Sequence, residues 1–139
     1  MKKSKLVIDY EYDFELIGIR SSAKGYKLAW EINTALGVQL VRQPDLAVGF
    51  KNDEEKNFSF YEYETRLNRL KLFKNKPVDS DSGKYFLVPE FPHFDFIILI
   101  QMEEQVRTKV IEQLRHISSI ELVANIPLDG LKSKSNFVF

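Results

Sequence analysis

The chain runs to 139 residues, and its 20 lysines and arginines balance 20 aspartates and glutamates. That balance argues against a protein whose main task is to neutralise phosphates or coat an anionic membrane. It contains no cysteine, which excludes disulfides, thiol nucleophiles and zinc sites with thiolate ligands.

Residues 1–139 make one domain by length, able to bury roughly two-thirds of the unfolded surface in a single core. Aromatics are 13% of the residues, eleven of them Phe and six Tyr, a load typical of a sheet-rich core or an adhesive surface. The opening KKSK and the LVI after it form no apolar stretch long enough for a signal core or a membrane span. A soluble cytoplasmic protein is expected.

Asp13–Ile19 (DFELIGI) reads as a strand, and Ser21-Ser22 offers a helix N-cap. Leu28, Ala29, Ile32, Ala35 and Leu36 then recur at helical spacing until Gly37 supplies a left-handed stop. Val38–Val41 (VQLV) follows as a second strand. Phe58–Glu64 and Asn68–Lys74 read as a hairpin, flanked by loops at NDEEKN and KNKPVDSDSGK. Asp95–Ile100 (DFIILI) is the next strand; Val106, Val110, Leu114 and Ile117 make a second helical stripe, and Ile120–Val123 closes the pattern.

A strand, helix, strand unit therefore occurs twice. An 82-residue shift sets Asp13 on Asp95, Leu40 on Leu122 and Leu46 on Leu128 without a gap. Periodic elements also align by chance, so the match is either a true repeat or a coincidence of pattern. The expected fold is α+β: an antiparallel or mixed sheet with two helices on one face, related to the ferredoxin-like arrangement and enlarged by the inserted hairpin. The first strand of each unit should be central. A run as apolar as Phe94–Ile100 fits a strand buried on both sides, so the second face needs cover from the hairpin, the NFVF tail or a second subunit.

VPEFPHFDF (Val88–Phe96) brackets a glutamate with prolines. It resembles the signature of the IPExxxVDY family, small bacterial proteins without an assigned activity: Pro89, Glu90 and Asp95 stand where that pattern puts them, while Val88, Phe94 and Phe96 replace Ile, Val and Tyr. The resemblance implies a cytoplasmic protein of unknown function. From the residues themselves, Pro89 and Pro92 should hold a stiff extended lead-in to the strand. Glu90 then acts as a structural latch on backbone amides or an arginine. The alternative joins Glu90, His93 and Asp95 as an acid/base or metal cluster, but alternate side chains of an extended segment point apart.

Asp13 and Asp95 would begin neighbouring strands at one end of the sheet, either as a coupled carboxylate pair or, the simpler reading, as turn residues. On the first helix Tyr26 and Trp30 fall opposite the buried stripe, beside Asn33. Tyr and Trp are common interface anchors, so these three residues are the candidate partner-binding set, unless the tail folds over them. The hairpin's Arg66, Arg69, Lys71, Lys74 and Lys76 beside Phe58, Phe60, Tyr61 and Tyr63 suggest a single-strand nucleic-acid surface. Cross-strand pairing with Glu62 and Glu64 explains the same charges more simply. DSDSGK lacks the spacing of a calcium loop and the upstream glycine of a phosphate loop. The sequence thus points to a non-enzymatic binding or scaffold module that self-associates or takes a protein partner, with no catalytic set, metal or cofactor. A small carboxylate/histidine enzyme is the alternative, and nucleic-acid binding ranks third.

Overall fold

A computed structural model describes residues 13–51, 54–78 and 84–139. The DSDSG run and Asn52-Asp53 lie outside them. The chain runs β1 (Glu15–Arg20), α1 (Gly25–Leu36), β2 (Val41–Arg42), β3 (Leu46–Gly49), β4 (Glu55–Phe58), β5 (Phe60–Glu64), β6 (Arg69–Lys74), β7 (Phe96–Gln101), α2 (Glu104–Leu114) and β8 (Leu122–Ile126), then a C-terminal 3-10 helix, Lys132–Phe137. Six strands form an antiparallel sheet in the order β2-β5-β6-β7-β1-β8; β3 and β4 pair separately. The α+β architecture expected from the sequence is present, with β1 and β7 central.

Alternation sorts the central strands onto two faces. Ile17, Ile19, Leu70, Leu72, Phe96, Ile98 and Ile100 face one way and pack with Leu28, Ala29 and Ile32 of α1 and Val110 and Leu114 of α2. Leu16, Phe73, Ile97 and Leu99 face the other way, into a second cluster with Leu87, Val88, Phe94, Leu131 and Phe137. Both faces of β7 are therefore buried, which is why its sequence is continuously apolar. The second face is covered by the chain itself, through the proline-bracketed segment, the tail, and Phe58 at the end of β4. Gly18, on that face of β1, makes the cover possible: a Cβ there would lie 2.3 Å from the Phe94 ring.

Several boundaries differ from expectation. The Val38–Val41 strand contracts to Val41–Arg42, because Asn33 of α1 takes both the N–H and the C=O of Leu40, at 2.8 and 3.4 Å. Phe58–Glu64 is not one strand; it divides at Ser59 between the two sheets. Ser21 does not cap α1, whose N-cap is Lys24. Its hydroxyl instead accepts from Ala23 N–H at 3.1 Å and donates to the Ser119 carbonyl at 2.7 Å, tying the β1–α1 turn to the turn before β8. Val106 sits on the outer surface, while Val110 and Leu114 are buried. Gly37 ends α1 as expected, at φ 68°. The 82-residue shift would place the second helix at 107–118, three residues later than α2 begins, and the two crossovers differ as well, with three strands between β1 and β2 but one between β7 and β8.

Gly18→Ala should destabilise the domain by about 2 kcal/mol or more, since an extra methyl in a filled core forces neighbours off their rotamers. Phe94→Leu should recover part of that loss. Chemical denaturation of both single variants and the double variant gives the coupling, and strictly additive values would mean that the ring does not set the need for glycine.

Candidate functional site

Pro89 and Pro92 do not make an extended lead-in. Phe91 N–H bonds the Val88 carbonyl at 3.1 Å and Phe94 N–H bonds the Phe91 carbonyl at 3.3 Å. These are two tandem β-turns, VPEF and FPHF, each with proline in second position, where its fixed φ is already correct. One side chain pins them both. Asn75, fully buried after β6, accepts from Val88 N–H at 2.8 Å and donates to the carbonyls of Phe91 and Phe94 at 3.2 and 2.9 Å. Its backbone also bridges, donating to the Asp95 carbonyl and accepting from Leu87 N–H, each at 3.0 Å.

The first turn presents Glu90 to the C-terminal helix. The Ser133 hydroxyl donates to Glu90 Oε1 at 2.7 Å and the Ser133 N–H to Oε2 at 3.1 Å. Asn136 adds a bond to the Leu87 carbonyl at 2.9 Å. Glu90 is thus a latch, capping the first turn of a short helix from outside, where a carboxylate also suits the exposed N–H groups. Burial pushes its carboxyl upward. The Ser133 hydroxyl and the backbone amides of Glu90, Ser133 and Lys132 outweigh burial and hold it below the usual glutamate range.

The structure does not assemble the other proposed chemistry. Asp95 Oδ2 accepts from Ser21 N–H at 2.9 Å. His93 is exposed and its ring lies 4.2 Å from that of Phe94. Glu90, His93 and Asp95 are each turned to different neighbours. Asp13 and Asp95 lie at opposite ends of the sheet, since β1 and β7 are antiparallel with Glu15 opposite Ile100 and Ile19 opposite Phe96. A strand length, about 20 Å, separates them, and Asp13 instead accepts from Gln101 Nε2 at 2.9 Å. Among the described residues no three His, Cys, Asp or Glu side chains gather as a metal would require.

On the hairpin, Glu64 meets Arg69 at 2.9 Å and Glu62 meets Lys71 at 3.7 Å, directly across the strand pair. Phe58 and Phe60 are buried, and Tyr61 and Tyr63 pack against the helix-covered cluster. The hairpin's aromatics are thus committed to the two clusters, and Arg69 and Lys71 to cross-strand carboxylates. Lys71 is itself only 5% exposed, its ammonium 4.1 Å above the Phe139 ring. Burial drives its proton affinity down, with Glu62 opposing.

The outer face of α1 remains. Tyr26 is 67% exposed and Trp30 64%. Phe137 packs edge-on against Phe73, with ring centroids 5.1 Å apart, so the tail lies across the sheet from α1 and leaves both rings uncovered. Asn33, the third residue of the set, is half-buried and committed to Leu40. No helix among the described residues is long and apolar enough to cross a membrane.

Asn75→Ala should cost about 2 kcal/mol or more, because it strands the Val88 donor and the Phe94 acceptor in buried surroundings; a midpoint near wild type in urea would show that water replaces the amide. Glu90 has its lowered proton affinity only when folded, so its latch adds stability above the unfolded pKa of about 4.3 and loses it as pH falls through the lower folded value. The stability gap between wild type and Glu90→Gln should accordingly be flat above about pH 5 and close on further acidification. A gap that widens in acid would reverse the assignment.

Comparison with protein-family models, curated proteins and solved structures finds no match to this chain.

Proposed function

We propose that this chain is a non-catalytic cytoplasmic binding module that engages a protein partner, or a second copy of itself, through Tyr26 and Trp30 on α1. The observation that carries the reading is the exposure of these two large rings, 67% and 64%, one helical turn apart. Exposed aromatics of this kind give a wide contact area at low entropic cost on binding. Thr108 and Glu112 on the second helix are exposed and polar, which is the ordinary condition of a solvated face. Asn33 supports the site from below by fixing the turn between α1 and β2. Kinship with the IPExxxVDY proteins belongs to the same proposal; what supports it is the placing of Pro89, Glu90 and Asp95, each of which shapes a turn or a strand end.

Trp30→Ala should change folding stability by no more than about 0.5 kcal/mol, as for an exposed residue without structural duty. It should also abolish concentration-dependent association in sedimentation velocity, or remove the bands captured from native cytosol by immobilised wild type. A wild type that stays monomeric and captures nothing that the variant loses would end the proposal.

A further inference from the structure

Among the described residues the small sheet has an open side: β3 pairs only with β4, and the phase of that ladder tells which groups face outward. Phe50 N–H donates to the Glu54 carbonyl at 2.8 Å, so inward bonding continues at every second pair, Val48 with Lys56 and Leu46 with Phe58. Between them, Ala47 and Gly49 turn their N–H and C=O groups away from β4. The opposite strand confirms the phase: Asn57, across from Ala47, has an outward carbonyl that accepts from Val78 N–H at 2.9 Å. On the outer edge of β4 the Asn57 carbonyl is thereby satisfied. Among the described residues, no hydrogen bond reaches the outward groups of β3.

Edge strands are normally guarded by shortness, charge, proline or a bulge. β2, at the margin of the large sheet, is two residues long and carries Arg42. β3 reads LAVG; it is short, at four residues, but carries no charge, proline or bulge. Its outward positions hold the two smallest side chains, and a Cβ at Gly49 would find nothing within 4 Å. Alongside lies an open groove of about 540 Å³, walled by Val48, Gly49 and Phe50 on the strand side and by Phe86, Pro89 and Asn136 on the other. Its charged lining is two lysines against one glutamate. Lys51 and Lys132 are exposed, with no ion pair among the described residues, whereas the Glu90 carboxylate, still ionised, is hydrogen-bonded to Ser133, so the rim is positive by one charge.

We propose that β3 accepts a third strand: an extended, acidic peptide segment of a partner protein docks in this groove, pairing its backbone with Ala47 and Gly49. Alternate apolar side chains of the peptide then meet Val48, Phe50, Phe86 and Pro89, and its carboxylates approach Lys51 and Lys132. Backbone pairing supplies affinity and the apolar floor supplies register, as in other strand-addition sites. Unpaired cations at the rim select for acidic sequence. This site is separate from the α1 face and does not depend on it.

The probe is a capped, fluorescein-labelled heptapeptide of alternating valine and glutamate, followed by anisotropy at low salt. Saturable binding is expected, weakened about tenfold or more by N-methylation of alternate peptide amides, by Gly49→Pro, and by Lys51→Glu with Lys132→Glu. Proline at Gly49 removes an outward donor only, the kind of edge position that tolerates it. If that variant fails to fold, as judged by circular dichroism, the N-methylated peptide makes the same test on unaltered protein. The valine/lysine counterpart should not bind, and Trp30→Ala should leave the affinity unchanged. Absence of saturable binding, or indifference to N-methylation, would overturn the proposal. So would a peptide-blind protein whose self-association is lost in Gly49→Pro, which would assign the edge to a second copy.

Discussion

One buried amide organises half of this molecule. Asn75 uses its side chain on the backbone at Val88, Phe91 and Phe94, and so decides where two successive turns lie against the sheet. With those turns in place the Phe94 ring rests on Gly18 of a central strand, Glu90 meets Ser133, and the tail delivers Phe137 to the second core cluster. A buried polar network of this kind stabilises only if complete, because each group left without a partner costs about 1–3 kcal/mol. Completeness here means that tertiary closure of the second face is cooperative: turn, latch and tail form together.

Where the tail goes determines what remains open. Phe137 and Phe139 pack with Phe73 and Phe60, on the face of the sheet away from the helices. The same residues cannot also cover α1. Tyr26 and Trp30 are therefore exposed as a consequence of how the opposite face is closed. The charged part of that face follows a similar economy: Lys71 is nearly buried, yet it has Glu62 beside it and an aromatic ring beneath it, a setting in which cation–π attraction offsets part of the desolvation.

The strands and helices were readable because they depend on period. β7 is apolar at every position up to Gln101, a pattern that only a doubly covered strand requires, and α1 shows both its stripe and its glycine stop. Direction and turns were harder. The carboxylates Asp13 and Asp95 begin similar strands, but antiparallel pairing of β1 with β7 sends the two beginnings to opposite ends. Proline restricts the backbone in either an extended segment or a turn, and only the i to i+3 bonds at Phe91 and Phe94 decide between them. Asn75 carries no local signal at all: an asparagine after a strand reads as a loop residue, and its role comes from partners 13 to 19 positions away. Glu90 was recognisable as a latch from its setting between prolines, whereas Ser133, 43 residues on, was not.

The two unguarded features obey different physics and lie on opposite sides of the main sheet. α1 packs on the helix-covered cluster and presents rings; Val48 and Phe50, at the groove, pack on the other cluster. A ring face gains by desolvating aromatic area and is little affected by salt, while an acidic strand held by backbone bonds and two lysines weakens as ions screen the cations. Occupation of one does not obstruct the other, since the thickness of the sheet stands between them. The groove wall also includes Pro89 and Asn136, which belong to the segment that Asn75 anchors and the helix that Glu90 latches. The closure that completes the core on that face thus builds one wall of the groove, and loosening the latch would widen it without touching α1.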